Sequence, residues 1–313
     1  MEGFNHEIFT FTKLMFLTVV PFIFSAQGTM LAGRTGVFIV AQEGIMLTSA
    51  SVGFIVAFLS GSLVWGCVAA MGVGALFGLA MAFFTTTLRM NQFVIGLALF
   101  FIGTGVSTLV PKLVIGVTLV PPLIPTLQNV PIPVLSKIPY IGDILFNQNI
   151  MVYICLLLSA FLYYFLYHTS YGLELRSVGE NPKAADSLGI NVTLVRYAAC
   201  IVGGMMIGLA GVYLPMVYTS TFTEQMTKGR GWLSTALAFF GGWRPHTIVL
   251  GALFFAGVEV LSYRAQVSDI RIPYQFLQML PYITTILVMM FTFRRSTTPG
   301  FLGKNYDREK RTL

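Results

Sequence analysis

The feature that most constrains this chain is a series of apolar runs, each about as long as a helix that crosses a membrane. A crossing helix needs about 20 mostly apolar residues at 1.5 Å each. Such segments fall at roughly 11–32, 43–60, 62–86, 92–110, 149–168, 192–214, 246–264 and 274–293, and a ninth, at 230–241, is too short to cross alone. Charged residues fall almost entirely between them. Backbone in lipid must bond to itself, which predicts helices. The runs are too continuously apolar for the alternation of barrel strands. The expected fold is all-α: one polytopic transmembrane helical bundle over 1–313, with about 8–9 membrane helices, some of them interrupted.

Composition narrows the function classes. Only 10% of the residues are charged and 56% are hydrophobic, whereas a soluble domain carries about 25% charged residues. A soluble enzyme, a disordered chain and a nucleic-acid-binding domain are all poor fits. The net charge of +7 does not point to nucleic acid, because the basic residues sit at the ends of apolar runs and in the tail. Cys67, Cys155 and Cys200 lie in separate apolar runs, without metal-ligand spacing or a disulfide framework. The first ten residues hold Glu2 and Glu7 and no Lys or Arg, unlike the positive start of a secretory signal, so the first apolar segment is expected to stay in the mature protein.

Lys and Arg near helix ends set orientation. Arg294, Arg295, Lys304, Arg308, Lys310 and Arg311 make 294–313 a basic tail, expected on the cytoplasmic side. Nine membrane elements then put the N-terminus outside, with Arg34, Arg89, Arg176, Lys183, Arg196 and Arg244 inside. Twelve of the 19 basic residues fall inside and seven outside.

Two connections are long. The first, 111–148, is an outer loop with seven of the fourteen prolines; it is either a covering loop or a docking surface. The second, 169–191, is the most charged internal segment and falls on the cytoplasmic side. Asn181 suits an N-cap, Pro182 a first helical position and Gly189 the residue that ends a helix. The resulting helix of about two turns needs a packing partner. Ala184, Ala185 and Leu188 offer it an apolar face for a groove. The segment is either a surface turn or a helix that docks into a cytoplasmic protein.

Glu43 and Glu259 sit well inside apolar runs, where a carboxylate faces a bundle interior or a water path. Glu43 and Gly44 follow Gly33-Arg34-Thr35-Gly36, which suggests an interrupted helix of the kind that lines transport pathways. A structural salt bridge from Glu43 to Arg34 or Arg89 is the alternative, and for Glu259 the expected partners are Arg264 or Tyr263. A second interruption surrounds the short helix, with Gly229, Gly231 and Trp232 before it and Gly241 and Gly242 after it. Asn91 opens the 92–110 segment as a cap or a pathway amide. His6, His168 and His246 are scattered, and no phosphate-binding loop of the Gly-x-x-x-x-Gly-Lys-Ser/Thr type is present.

The residues 172–190 (GLELRSVGENPKAADSLGI) resemble the cytoplasmic coupling segment of ABC importer permeases, in the branch of ribose, simple-sugar and nucleoside permeases. The segments 34–37 with 43–47, 137–148, 229–232 with 240–245, and 272–275 with 279–282 resemble the same branch in the same order. One departure is that Phe38 to Gln42 stand where the family usually has Asn-Ile-Gly-Leu before the Glu. The resemblance implies a translocation subunit and not an enzyme, in a bacterial plasma (inner) membrane. A cytoplasmic ABC ATPase would bind the ATP and Mg, with no cofactor in this chain. A second permease subunit, as in a heterodimer where this is the shorter member, and an extracytoplasmic binding protein or lipoprotein would complete the assembly. The implied ATPase-coupling residues are Gly172, Arg176, Gly179, Glu180, Asn181, Pro182, Ala184, Ala185 and Gly189. The implied pathway residues are Glu43, Gly44, Asn91, Gly231 and Trp232. A nucleoside is the first expected solute, then a simple sugar or a riboflavin-like vitamin. The alternative from another class is an ion-coupled secondary transporter that uses Glu43 and Glu259.

Overall fold

The computed structural model describes residues 2–116, 121–133, 136, 141–267, 273–292 and 298–307. Lys137 to Tyr140, Ile272, Arg294, Arg295, Arg308, Lys310 and Arg311, all used above, lie outside the described residues. The helices are α1 (Glu2–Gly33), α2 (Gln42–Ser60), α3 (Leu63–Ala82), α4 (Gln92–Val114), α5 (Ile141–Leu145), α6 (Ile150–His168), α7 (Ser170–Glu180), α8 (Pro182–Ser187), α9 (Val192–Tyr213), α10 (Arg230–Phe240), α11 (Pro245–Val267) and α12 (Tyr274–Thr292). Among the described residues seven stretches are long and apolar enough to cross a membrane, in α1, α2, α3, α4, α6, α9 and α11. Residues 274–290 of α12 form a shorter apolar helix, and with α10 these fill the expected range of 8–9.

The helices α1, α2 and α9 form the centre, with α3 on α9 and α2, α4 on α2, and α11 on α1. Small residues permit the closest contact. A Cβ on Gly74 would lie 2.1 Å from the Gly204 carbonyl, and one on Gly78 2.2 Å from that of Cys200. Lipid gives no hydrophobic drive for helices to associate, so close backbone packing and polar ties hold them together. The amide of Gln27 donates to Ser159 Oγ at 2.8 Å between α1 and α6. Tyr213 on α9 donates to the Leu17 carbonyl and accepts from Asn149.

The Pro-rich connection closes the far end of this bundle. Pro111 lies inside the last turn of α4, so that helix runs four residues past the expected boundary. The helical run of α9 continues as a wider turn over Leu214–Thr219, in which Pro215 has no N–H to give. Ile124 and Leu127 donate to the carbonyls of Ser220 and Met216 at 2.8 and 3.0 Å, so the extended loop satisfies the end of that helix. Short strands β1 (Asn129–Pro131) and β2 (Asn147–Asn149) pair antiparallel beside it.

At the opposite end Arg34, Arg89, Arg176, Lys183, Arg196, Arg244 and Lys304 collect into one basic rim. Arg34 Nε donates to the Trp243 carbonyl, Gly179 lies against the Arg34 carbonyl, and Asn305 donates to that of Arg89. Burial pulls the Arg34 pKa below that of a free guanidinium. Among the described basic residues, Arg230 departs from the charge count. Assigned to the outer side by sequence, it lies buried inside the bundle in an ion pair.

Candidate functional site

Two helices begin in the middle of the molecule, and their N-termini meet. From Arg34 at the basic rim the chain runs inward without helix to Ala41, and α2 starts at Gln42. The buried Gln92 side chain supports this stretch by accepting from Phe38 N at 2.7 Å and donating to the Gly36 carbonyl. From the far end the chain turns back in after Ser220, and α10 starts at Arg230. α10 has 11 residues, about 16 Å of helix, and it ends at the rim where Trp243 meets Arg34. On the α2 side, a Cβ on Gly44 would lie 2.8 Å from Phe100 Cα, eight residues or about 12 Å into α4. Both lengths place the junction near the middle of a hydrocarbon layer about 30 Å thick.

Glu43 joins the two helices. Its Oε1 accepts from Thr227 Oγ1 at 2.5 Å and from Gly229 N at 2.8 Å, and its Oε2 accepts from Gly231 N at 2.7 Å. No side chain of its own segment caps α10, so a carboxylate from α2 fills that role. Helix N-termini carry partial positive charge, and an anion there is stabilised. Gly231 must be glycine for this approach, because a Cβ would lie 2.5 Å from Glu43 N. Trp232 follows, 38% exposed, its ring edge-on to Phe100 at 5.4 Å.

The expected partners of Glu43 are corrected by this geometry. Arg34 is held on the Trp243 carbonyl and Arg89 pairs with Asp307 at 2.8 Å. Both stay at the rim while Glu43 sits deeper. For Glu259 the expectation holds in part: Tyr263 donates to its Oε1 at 2.7 Å, and Arg230, which was not expected, pairs with the same oxygen at 2.5 Å. Arg264, the other expected partner, instead lies over the ring of Phe11, 5.5 Å from its centroid. Asn91 caps α4 by accepting from Phe93 N and Val94 N at the exposed rim, about 12 Å from the junction. Of the residues expected to line a pathway, Glu43, Gly44, Gly231 and Trp232 therefore come together and Asn91 stands apart. Sequence reasoning missed Thr227, Phe100 and the role of Arg230. Only their position beside glycine breaks or facing aromatics could have marked them.

Beside the ion pair is a cavity of about 80 Å³, lined in part by Lys228, Arg230, Glu259, Gln278 and Tyr282. Small-molecule sites span roughly 300–1,000 Å³, so this cavity is too small for such a solute. A cleft of about 590 Å³ between α3, α6 and α9 has only apolar residues around it, among them Leu63, Met71, Ile154 and Phe161.

At the rim, α7 is capped by Thr169, whose Oγ1 accepts from Gly172 N. Gly172 lies against the Phe165 carbonyl, where a Cβ would come within 2.0 Å. Gly179 makes an equally close approach to the Arg34 carbonyl. Asn181 Oδ1 accepts from Ala184 N, Pro182 holds the first position of α8, and Gly189 follows it with φ of +88°. All three were expected from sequence. The apolar face was not correctly composed. Ala185 is 1% exposed and packs inward with Val178 and Val192, whereas Leu188 is 82% exposed and Ala184 is exposed. The reason is that Leu188 lies past the end of α8 and does not share its facing. Arg176 and Glu180, spaced to pair, go elsewhere. Arg176 lies over Tyr167, 5.0 Å from its centroid, and Glu180 accepts from Gly300 N.

Residues 11–290 match the family model for the permease component of the branched-chain amino acid transport system. The chain belongs to this permease family. The nucleoside ABC transporter permease protein NupC of Lactococcus lactis is 34% identical, over 95% of this chain and 96% of its own. The guanosine ABC transporter permease protein NupQ of Bacillus subtilis is 33% identical over 93% and 94%. TsgC13 of Haloferax volcanii, provisionally named a glucose ABC transporter permease protein, is 30% identical over 92% and 94%. No solved structure matches the chain. This permease is thus a multi-pass membrane subunit of an ABC transporter.

Proposed function

We propose that this permease imports a nucleoside. Two features of the molecule bear on that choice. Its relatives NupC and NupQ, named for nucleosides and guanosine, match it over more than nine-tenths of both chains. The junction also suits a neutral solute. In broken-helix transporters paired helix N-termini attract anionic solutes, and here Glu43, in the first turn of α2, already occupies the N-terminus of α10. Trp232, exposed beside the break, offers a ring for a base to stack on, with Glu43, Gly44 and Gly231 as the frame that places it. A simple sugar is the second reading, favoured by the relative named for glucose; such a ring stacks on the same face.

In this proposal the basic rim is cytoplasmic and the N-terminus outside. A separate ABC ATPase binds ATP and Mg and docks on α7 and α8. Lys183, Ala184 and Leu188 would touch it. Gly172, Gly179, Asn181, Pro182, Ala185 and Gly189 would hold the segment in shape, and Arg176 and Glu180 would fix it to the rim. A second permease subunit would complete the path, because the cavity beside the Arg230–Glu259 pair is far smaller than a nucleoside site. An extracytoplasmic binding protein would deliver the solute. The carboxylates of an ion-coupled carrier must be free to load and unload, and Glu43 and Glu259 are both bonded to protein donors.

The test is uptake by vesicles holding the permease pair, ATPase and binding protein. Radiolabelled guanosine should accumulate with ATP and not without it. Accumulation of glucose with no uptake of guanosine would overturn the nucleoside reading. Uptake by the purified chain alone under an ion gradient would overturn the importer.

A further inference from the structure

The tail segment 298–307 lies across the basic rim and is bonded to three separate places. On α7 and α8, Phe301 N donates to the Gly179 carbonyl at 2.9 Å, and Gly300 N to Glu180 Oε2 at 3.1 Å. Tyr306 OH donates to Asp186 Oδ2 at 3.1 Å, and its ring packs on the cluster of Val178, Ala185 and Val192. On the stretch leading to α2, Gly303 N donates to the Gly36 carbonyl at 3.1 Å. On the turn between α3 and α4, Asn305 Nδ2 donates to the carbonyls of Arg89 and Met90, and Arg89 pairs with Asp307. The Lys304 carbonyl accepts from Gln92 Nε2 at 3.3 Å. Gln92 is the same amide that holds Gly36 and Phe38. The segment therefore meets α4 and the approach to Glu43 at one side chain. Phe301 is also covered by the buried guanidinium of Arg196, 6.0 Å from its centroid.

A solvated basic tail needs none of these bonds. α7 and α8 pack on each other, on α6 and on α9, and the tail adds a path from them to the first turn of α4. We propose that 298–307 is a transmission strap. It carries displacement of α8 to α4 and, through 34–41, to the junction at Glu43. Phe301, Asn305 and Tyr306 are then positioning residues for the coupling of ATP hydrolysis to transport. The inference rests on α7 and α8 being the ATPase-docking segment.

The experiment uses the whole importer in vesicles. ATP hydrolysis is measured on the same sample as uptake of radiolabelled guanosine, or of glucose should the wild-type complex take that instead. Asn305→Asp keeps the shape and replaces two donors by acceptors facing carbonyls; Phe301→Ala removes the ring under Arg196. Both should retain the ATPase through purification and keep its basal hydrolysis, while solute moved per ATP falls about threefold to tenfold, as for residues along a coupling network. Tyr306→Phe loses one hydroxyl bond and should fall less. A wild-type ratio of solute to ATP in both Asn305→Asp and Phe301→Ala overturns the strap. So does loss of the ATPase in these variants, which would make the segment only a prop for α8. Ala184→Glu, on the exposed side of α8, separates the underlying reading: if the ATPase stays bound there, it is the docking assignment that fails.

Discussion

The junction at Glu43 and the segment at α7 and α8 are both short helices capped by a side-chain oxygen, yet they are built on opposite terms. At the junction the cap comes from a helix far away in sequence, and two of the three donors it satisfies, Thr227 Oγ1 and Gly231 N, are buried in the bundle. At the rim the cap Asn181 is three residues from the group it holds, and water stands ready to replace it. The first arrangement gives fixed geometry at mid-depth. The second leaves a surface that can be moved by a partner. Damage should therefore appear as lost folding at the junction and as lost coupling at the rim, and substitutions can be ranked by how much stability each removes.

The largest loss is expected at Glu43. Glu43→Ala strands two buried donors, Thr227 Oγ1 and Gly231 N, and the half-buried Gly229 N; the two buried ones alone are worth about 2–6 kcal/mol at about 1–3 for each. Glu43→Gln keeps one acceptor oxygen and should fall between. Thermal melting of the detergent-solubilised chain measures this. A melting curve for Glu43→Ala superimposable on the wild type would mean the carboxylate does not hold the two helices.

The ion pair next to it comes second. Glu259→Gln leaves Arg230 buried with its charge uncompensated, which costs about 3–5 kcal/mol, whereas replacing both partners with apolar side chains is close to neutral. The double variant Arg230→Met with Glu259→Leu should melt nearer the wild type than either single change. If the double variant is the least stable of the three, the pair is needed for more than mutual compensation.

The ranking also explains what the sequence could reveal. The helix boundaries, the Asn91 and Asn181 caps and the turn at Gly189 rest on neighbours a few residues apart, so local chemistry disclosed them. The partners of Glu43 lie 184 to 188 residues away. A lone acidic residue among apolar ones says that it must be satisfied, without saying by what. Backbone N–H groups are possible donors at every position except proline, so they leave no mark in composition. The inward turn of Ala185 escaped for a related reason: in a helix as short as α8 there is no repeat from which to read a face.

Ala185→Glu comes third. It forces a carboxyl group against Val178 and Val192, and even in its protonated form an unpaired polar group there costs about 1–3 kcal/mol. That cost is confined to the rim. Limited proteolysis should cut within 169–191 while the bundle melts as before. An unchanged cleavage pattern would place the side chain outside, on the docking face.

Leu188→Glu should cost the least stability and so separates the two regions most cleanly. The side chain is 82% exposed and lies beyond the end of α8. Substitutions at such positions stay within about 0.5 kcal/mol, and melting and proteolysis should both match the wild type. Exposed as it is, Leu188 stands out among the charged and polar residues around it, and an apolar anchor that fills a partner pocket is where binding energy concentrates. A carboxylate there must be desolvated without compensation when the partner closes on it. Co-purification of the ATPase should therefore fall steeply in a chain whose fold is untouched. Should the ATPase remain attached at wild-type levels, the rim would share the junction's character, a fixed structural element, and the docking surface would have to be sought elsewhere on the basic end.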